Sequence, residues 1–294
     1  MKNVLVLISS AAHPALNEGA IRNAVAVLQA QDATVGKPVW LAPEIACDIP
    51  FDGDAGPVAM TAIDAVVVPA AGRRKKLLVA DMESTMIENE MLDELADFLG
   101  LRERIAGITA RAMNGEIDFA GALTERVGLL KGLAVGKLDE AAKRIRFMPG
   151  GATLIATMKA HGADCALVSG GFTHFTAMVR TKLGFDSDSA NVLMHDGSTL
   201  SGAVKPPILG KEAKLATLQK LAQQRGLALA DTLTVGDGAN DLPMLREAGL
   251  GVAFHAKPAV AAEVSARIDH GDLTALLYLQ GYRQNEFAER EDPS

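Results

Sequence analysis

The chain reads as an α/β protein built on a parallel sheet, and three observations predict this. Short apolar runs that end in polar or glycine-rich turns recur at Leu77 to Ala80, Asp164 to Val168 and Thr232 to Val235, the pattern of buried parallel strands whose carboxyl ends open into a crevice. Stretches of helical periodicity separate these runs, as in successive strand-helix-strand units. The third observation is compositional. Hydrophobic residues fill 49% of the 294 positions and aromatic residues only 4%, so the core is assembled from Ala, Leu, Val, Ile and Met, an ordinary balance for an α/β fold.

Residues 1 to 75 open with a strand, Val4 to Ile8, and a helix, Glu18 to Gln29, followed by apolar pieces around Val39-Trp40-Leu41 and Ala65 to Pro69. Pro38, Pro43, Pro50 and Pro57 punctuate them. This is a small N-terminal α/β module with long connections and no catalytic spacing of Asp, His, Cys or Lys, which reads as a regulatory or dimerising appendage and allows a homodimer. The basic quartet Arg73-Arg74-Lys75-Lys76 reads as a solvated linker ahead of the first core strand.

After that strand, residues 88 to 147 form a helical insertion, a cap. Met91, Leu92, Leu95, Phe98 and Leu99 recur at helical spacing and Gly100 ends the run. Helical stretches follow at Arg102 to Asn114, Phe119 to Leu130 and Asp139 to Phe147. The core, residues 76 to 87 and 148 to 285, resumes with a helix from Thr153 to His161 and the strand Asp164 to Val168. A helix ending near Gly184 precedes a hairpin signal around His195-Asp196-Gly197-Ser198. Then come a helix from Lys211 to Arg225, strands Thr232 to Val235 and Gly249 to Phe254, a helix opened by Pro258, and a closing helix from Leu273 to Leu279. Residues 286 to 294, polar and charged, are expected to fray.

Charge and cysteine content exclude several function classes. A net charge of −7 without a long basic run lacks the footprint of a nucleic-acid binder. Two cysteines, Cys47 and Cys165, make neither a disulfide framework nor a thiolate metal site, which fits a reducing compartment. Five apolar residues near the start fall short of a secretory segment, and no stretch approaches a membrane span. The expectation is a cytoplasmic protein acting on a small molecule, with neither nucleic acid nor membrane as partner.

Three strand ends deliver Asp81 and Glu83, then Ser169, then Asp237 and Asp241, with Lys214 on the helix before the last strand. Carboxylates converging from separate strands suit a hard cation such as Mg²⁺, which is held by few carboxylates, waters and substrate phosphate oxygens. A carboxylate beside such a metal can attack phosphorus, and a second acid can protonate the leaving oxygen. Ser169 with its neighbouring N–H groups could hold phosphoryl oxygens, and Lys214 would offset the gathered negative charge. Each motif taken alone also fits a plain turn or helix cap.

Asp-Met-Glu-Ser-Thr at 81 to 85, Ser-Gly-Gly-Phe at 169 to 172, Lys214 and Gly-Asp-Gly-Ala-Asn-Asp at 236 to 241 together resemble, in order, the four motifs of the haloacid dehalogenase superfamily. Over about residues 77 to 285 the chain resembles the phosphoserine phosphatase family within it. The resemblance implies a Rossmann-like sheet with a helical cap and Mg²⁺-dependent hydrolysis of O-phospho-L-serine through an aspartyl-phosphate, the last step of serine biosynthesis. It makes Asp81 the nucleophile and Glu83 the general acid/base. It implies Asp81, the carbonyl of Glu83 and Asp237 as metal ligands, with Asp241 supporting from behind. Glu90 would take the substrate ammonium and Arg126 its carboxylate, with Met113 and Phe119 lining the cap. Ser169, Gly170, Lys214 and Asn240 would contact the phosphate or the nucleophile. The first 75 residues resemble an ACT-like regulatory domain only faintly. One position departs from the family pattern, which has Asp where this chain has Glu83. Alternatives are another small phosphomonoester as substrate, or a catalytically weakened serine or phosphoserine sensor.

Overall fold

The computed structural model describes residues 1–113 and 116–293, the side chain of Met113 excepted. The N-terminal module contains β1 (Asn3–Ser9), α1 (Glu18–Ala30), β2 (Thr34–Val35), β3 (Val39–Ala42), β4 (Ala46–Asp52) and β5 (Ile63–Pro69). Its strands pair antiparallel in the order β2-β4-β1-β5, with β3 also on β4. Asn17 starts α1 by accepting the N–H groups of Gly19 and Ala20, as an N-cap asparagine should.

Both faces of this sheet are covered, and β1 shows why its sequence is continuously apolar. Leu5 and Leu7 point to a cluster with Ile21, Leu28 and Phe51, whereas Val4, Val6 and Ile8 join Val66 and Val68 in the large cluster of the main core. The side-chain period of two sends alternate residues to opposite faces.

The core and cap continue with β6 (Leu77–Ala80), α2 (Met91–Asp97), α3 (Arg102–Met113), α4 (Phe119–Gly128), α5 (Gly136–Ala142), α6 (Gly151–Ala160), β7 (Asp164–Phe172), α7 (Thr173–Leu183) and β8 (Ser187–Asn191). A hairpin of β9 (Leu193–His195) and β10 (Leu200–Val204) precedes α8 (Lys211–Gln224), β11 (Thr232–Gly236), α9 (Leu242–Glu247), β12 (Leu250–Phe254), α10 (Pro258–Ala261), β13 (Ala266–Ile268) and α11 (Ala275–Leu279). Six strands form one sheet in the order β13-β12-β11-β6-β7-β8, every neighbouring pair parallel. Central β6 lies between β11 and β7, so Asp81 and Asp237, just beyond β6 and β11, share one edge of the sheet with the last residues of β7; the turn expected at Ser169 is instead strand through Phe172, its pairing with β8 shifting register between Val168 and Phe172. That edge is where an open α/β sheet binds ligands.

Four other expectations need correction. The helix expected at Asp139 to Phe147 is α5, starting earlier and ending at Ala142. A turn over Lys143 and Arg144 follows, and the chain from Arg146 pairs with the segment entering the cap: Ile87 bridges Phe147, Glu88 N–H donates to Arg146 O, and Met148 N–H donates to Met86 O. Strands β4, β8 and β13 were not anticipated, being interrupted by Pro50, polar, or only three residues long. The basic quartet is a clasp. Arg73 reaches Asp48 and the carbonyls of Tyr278 and Leu279, Arg74 reaches Glu286 and stacks over Tyr282, and Lys75 reaches the carbonyls of Gly72 and Ala230. The C-terminal segment is docked instead of frayed. Asp292 accepts the Gly150 and Ala152 N–H groups at the head of α6, and Arg290 donates to the carbonyls of Lys182 and Leu183 at the end of α7. Among the described residues, no helix is long and apolar enough to cross a membrane.

Candidate active site

Asp81 follows β6 directly and is 5% exposed. Its Oδ1 accepts Met82 N–H at 2.8 Å and lies 2.7 Å from Lys214 Nζ, so this oxygen is held from two sides. Lys214, brought in by α8 and fully buried, also meets Asp241 Oδ1 at 2.6 Å. The second oxygen of Asp241 accepts Gly238 N–H at 3.0 Å. Asp241 can fold back under β11 only because residue 236 is glycine: a Cβ there would lie 2.3 Å from Asp241 Cγ. Asp81, Asp237 and Asp241 each bring a carboxylate oxygen within 4.8 Å of the others. Asn240 lies on the same turn, half-buried.

The electrostatics of this group are those of an under-compensated anionic pocket. Burial, then the charge of Asp241, pushes Asp81 up to about 8 against the pull of Lys214. Burial and Asp241 push Asp237 up to about 6. Burial, then Glu90, pushes Glu83 up to about 8. Burial lowers Lys214, yet the carboxylates of Asp81 and Asp241 hold it above its ordinary range. One buried lysine faces more carboxylates than it can neutralise. Lys257, whose Nζ is 3.9 Å from Asp237 Oδ2, is largely exposed. An all-oxygen donor set with surplus negative charge suits a hard divalent cation, and the cluster holds neither imidazole nor thiolate to favour a softer one.

On the β7 side, Ser169 is buried and its Oγ accepts Gly171 N–H at 2.9 Å. Sequence reasoning missed the residue that holds this end of β7, Asn191. Its Nδ2 donates to Gly170 O at 2.8 Å and to Leu209 O at 3.2 Å, while its Oδ1 accepts Leu209 N–H at 2.8 Å. Asn191 thereby ties the Ser169-Gly170 stretch of β7 to the entry of α8, which carries Lys214. Nothing in the sequence marked it, since its strand β8 was itself unrecognised.

The cap closes over this edge. The Phe119 ring lies across this end of β7, its Cζ 3.2 Å from where a Cβ on Gly170 would sit and its Cδ1 3.4 Å from the corresponding point on Gly210. Ser84 holds a left-handed φ of 54°, uncommon for a non-glycine residue and typical of functional turns. Its hydroxyl donates to Glu90 Oε1 at 2.9 Å. Glu83 Oε1 accepts Met91 N–H at 2.8 Å. Arg126 is anchored on its own helix, Nε donating to Ala122 O at 3.2 Å. Burial lowers it, while Glu83, Asp93 and Glu90 pull the other way. Asp93 is a second neighbour that the motifs did not flag. The structure thus brings together Asp81, Glu83, Glu90, Phe119, Arg126, Ser169, Gly170, Lys214, Asp237, Asn240 and Asp241; Met113 falls outside the described side chains.

The family model of haloacid dehalogenase-like hydrolases matches residues 78–246. A phosphoserine phosphatase of Streptomyces coelicolor is 40% identical over 224 residues, covering 75% of this chain and 55% of its own length. The chain therefore spans about half of that relative. Among solved structures, a haloacid dehalogenase family hydrolase from Salmonella enterica serovar Typhi is similar with a TM-score of 0.81 and 27% identity, over 94% of this chain and 98% of its own. A phosphoserine phosphatase solved as a phospho-aspartyl intermediate analogue has a TM-score of 0.65 and 40% identity, over 70% of this chain and 98% of its own. With the matched region running from the first core strand through the Asp237 turn, the chain belongs to the haloacid dehalogenase-like hydrolase family, in the branch that holds the phosphoserine phosphatases.

Proposed function

We propose that this protein hydrolyses O-phospho-L-serine to L-serine and phosphate, with Mg²⁺ and through an aspartyl-phosphate on Asp81, as the last step of serine biosynthesis in the cytoplasm. The observation that carries the reading is a cap presenting one anion and one cation, Glu90 and Arg126, beside a buried nucleophile group. An ammonium calls for the former and a carboxylate for the latter, preferably as a two-point guanidinium contact. The solved relative with a phospho-aspartyl analogue supports the covalent route.

Asp81 attacks phosphorus with Oδ2 while Lys214 and the Met82 N–H hold Oδ1. The phosphorus–ester oxygen bond breaks and Glu83 gives its proton to the departing serine oxygen. Glu83 then takes a proton from water, the water oxygen bonds to phosphorus, and the phosphorus–Asp81 bond breaks to return the free carboxylate. Ser169 Oγ and the N–H groups beside it hold phosphoryl oxygens, and Phe119 excludes water. Asp81, the Glu83 carbonyl and Asp237 would hold the cation, with Asp241 behind them; when bound, it neutralises the charge gathered on the phosphoryl group.

The test is phosphate release from phosphoserine, phosphothreonine and an aryl phosphate, with and without Mg²⁺, for the native chain and for Asp81→Asn. Release that prefers phosphoserine, needs Mg²⁺ and disappears in Asp81→Asn is expected. No release from any substrate would sink the enzyme reading, and a preference for another ester would reassign the substrate.

A further inference from the structure

The hydrogen bond from Met91 N–H to Glu83 Oε1 joins two parts of the site that the chemistry treats separately. Met91 is the first residue of α2, the first cap helix, and the N–H groups at a helix start have no partner within the helix. The residue placed to cap it, Glu90, makes no side-chain capping bond; its Oε1 is held by Ser84 instead. Glu83 takes up that vacant role from across the site. Its other oxygen lies on the phosphate side, since Glu83 Oε2 and Ser169 Oγ are 2.9 and 3.1 Å from the point a Gly171 Cβ would occupy. Glu83 is therefore stretched between the cap and the Ser169 stretch of β7, one oxygen anchored on Met91 and the other directed to that strand.

We propose that the Met91 backbone N–H is the positioning group that sets Glu83 for its acid/base role, and that it does so because the residue is Glu. An aspartate, one methylene and about 1.5 Å shorter, falls outside hydrogen-bond reach of that amide. The same arrangement leaves Glu90 free of capping duty and available to a substrate cation. Holding Glu83 from α2 ties the acid/base to the first cap helix as well as to the core loop that carries it. The inference rests on the reading of Glu83 as the acid/base.

Proline at the first position of a helix keeps the fold and removes only the N–H, and Glu90 already has the extended backbone, φ −100° and ψ 106°, that a following proline requires. Met91→Pro is compared with Met91→Ala, which also loses the buried side chain but keeps the amide. With phosphoserine, Met91→Pro is expected to show kcat about tenfold or more below Met91→Ala, the effect of losing a hydrogen bond to a carboxylate, with KM within about twofold. In a Glu83→Asp background the two should match. Equal kcat in the native background, or the same ratio in both backgrounds, overturns the proposal. Amide hydrogen exchange at Met91 reads the bond without turnover: exchange should accelerate about tenfold or more in Glu83→Ala, and unchanged exchange overturns the proposal even if Met91→Pro does not fold. Absence of phosphoserine hydrolysis in the native chain would instead defeat the functional reading.

Discussion

Lys214 is the residue on which the active-site charges balance. It sits fully buried between Asp81 and Asp241, and removing one partner of a buried ionic group leaves the others uncompensated. Lys214→Ala should therefore lower stability by about 3 to 5 kcal/mol in metal-free protein, read by denaturant unfolding, as well as abolish turnover. A second consequence concerns pH. Asp81 and Glu83 are pushed to about 8 in the folded protein, whereas an unfolded chain titrates them near 4. Between those values the folded state binds more protons, so metal-free stability should fall as pH rises from about 5 to 8. Saturating Mg²⁺ should flatten the curve, because the cation supplies the charge that the protons otherwise supply. A melting temperature that rises with pH in the metal-free protein would contradict this. At this scale the positions of Asp81, Asp237 and Lys214 were legible, two directly after buried strands and one on a helix with strong patterns, whereas Ser169 lies within β7 and not at the strand end expected of it. Asn191 and the Met91 amide were not, since one depends on an unrecognised strand and the other on a backbone group that carries no side-chain signature.

Among elements, the helices and buried strands were legible because periodicity and caps are local. The failures arose where partners distant in sequence decide. Residues 146 and 147 continue the helical spacing expected there, yet pairing with residues 87 to 89 draws them out straight, a tertiary override of local preference. Likewise the terminal segment lacks apolar pattern but is held because Asp292 meets the free N–H groups opening α6. Asp292→Ala should cost about 1 kcal/mol, as loss of a helix cap does, and lower the melting temperature by about 2 to 4 °C. An unchanged melting temperature would show that this cap contributes nothing.

Over the whole molecule, the N-terminal module is tied to the core by charge as well as by apolar contact. Asp64 accepts the N–H groups of Asp269, His270 and Gly271, and Arg73 joins Asp48 to the end of α11. Arg73→Ala strands a nearly buried Asp48 and should cost about 3 kcal/mol or more, while unfolding stays a single transition; two separated transitions would mean that the module is energetically independent. The quartet containing Arg73 looked like solvent-facing linker because composition cannot reveal that carbonyls and carboxylates wait within reach.

Strand β1, apolar on both sides, is in effect a party wall. Val4, Val6 and Ile8 face the main core on one side while Leu5 and Leu7 line the module on the other. Cutting the chain at residue 75 would thus leave a unit with a wall removed, uncovering the part of the main core where α11 packs on β1 and inviting self-association. Any role of the first 75 residues is better probed by point changes on their outer surface than by deletion.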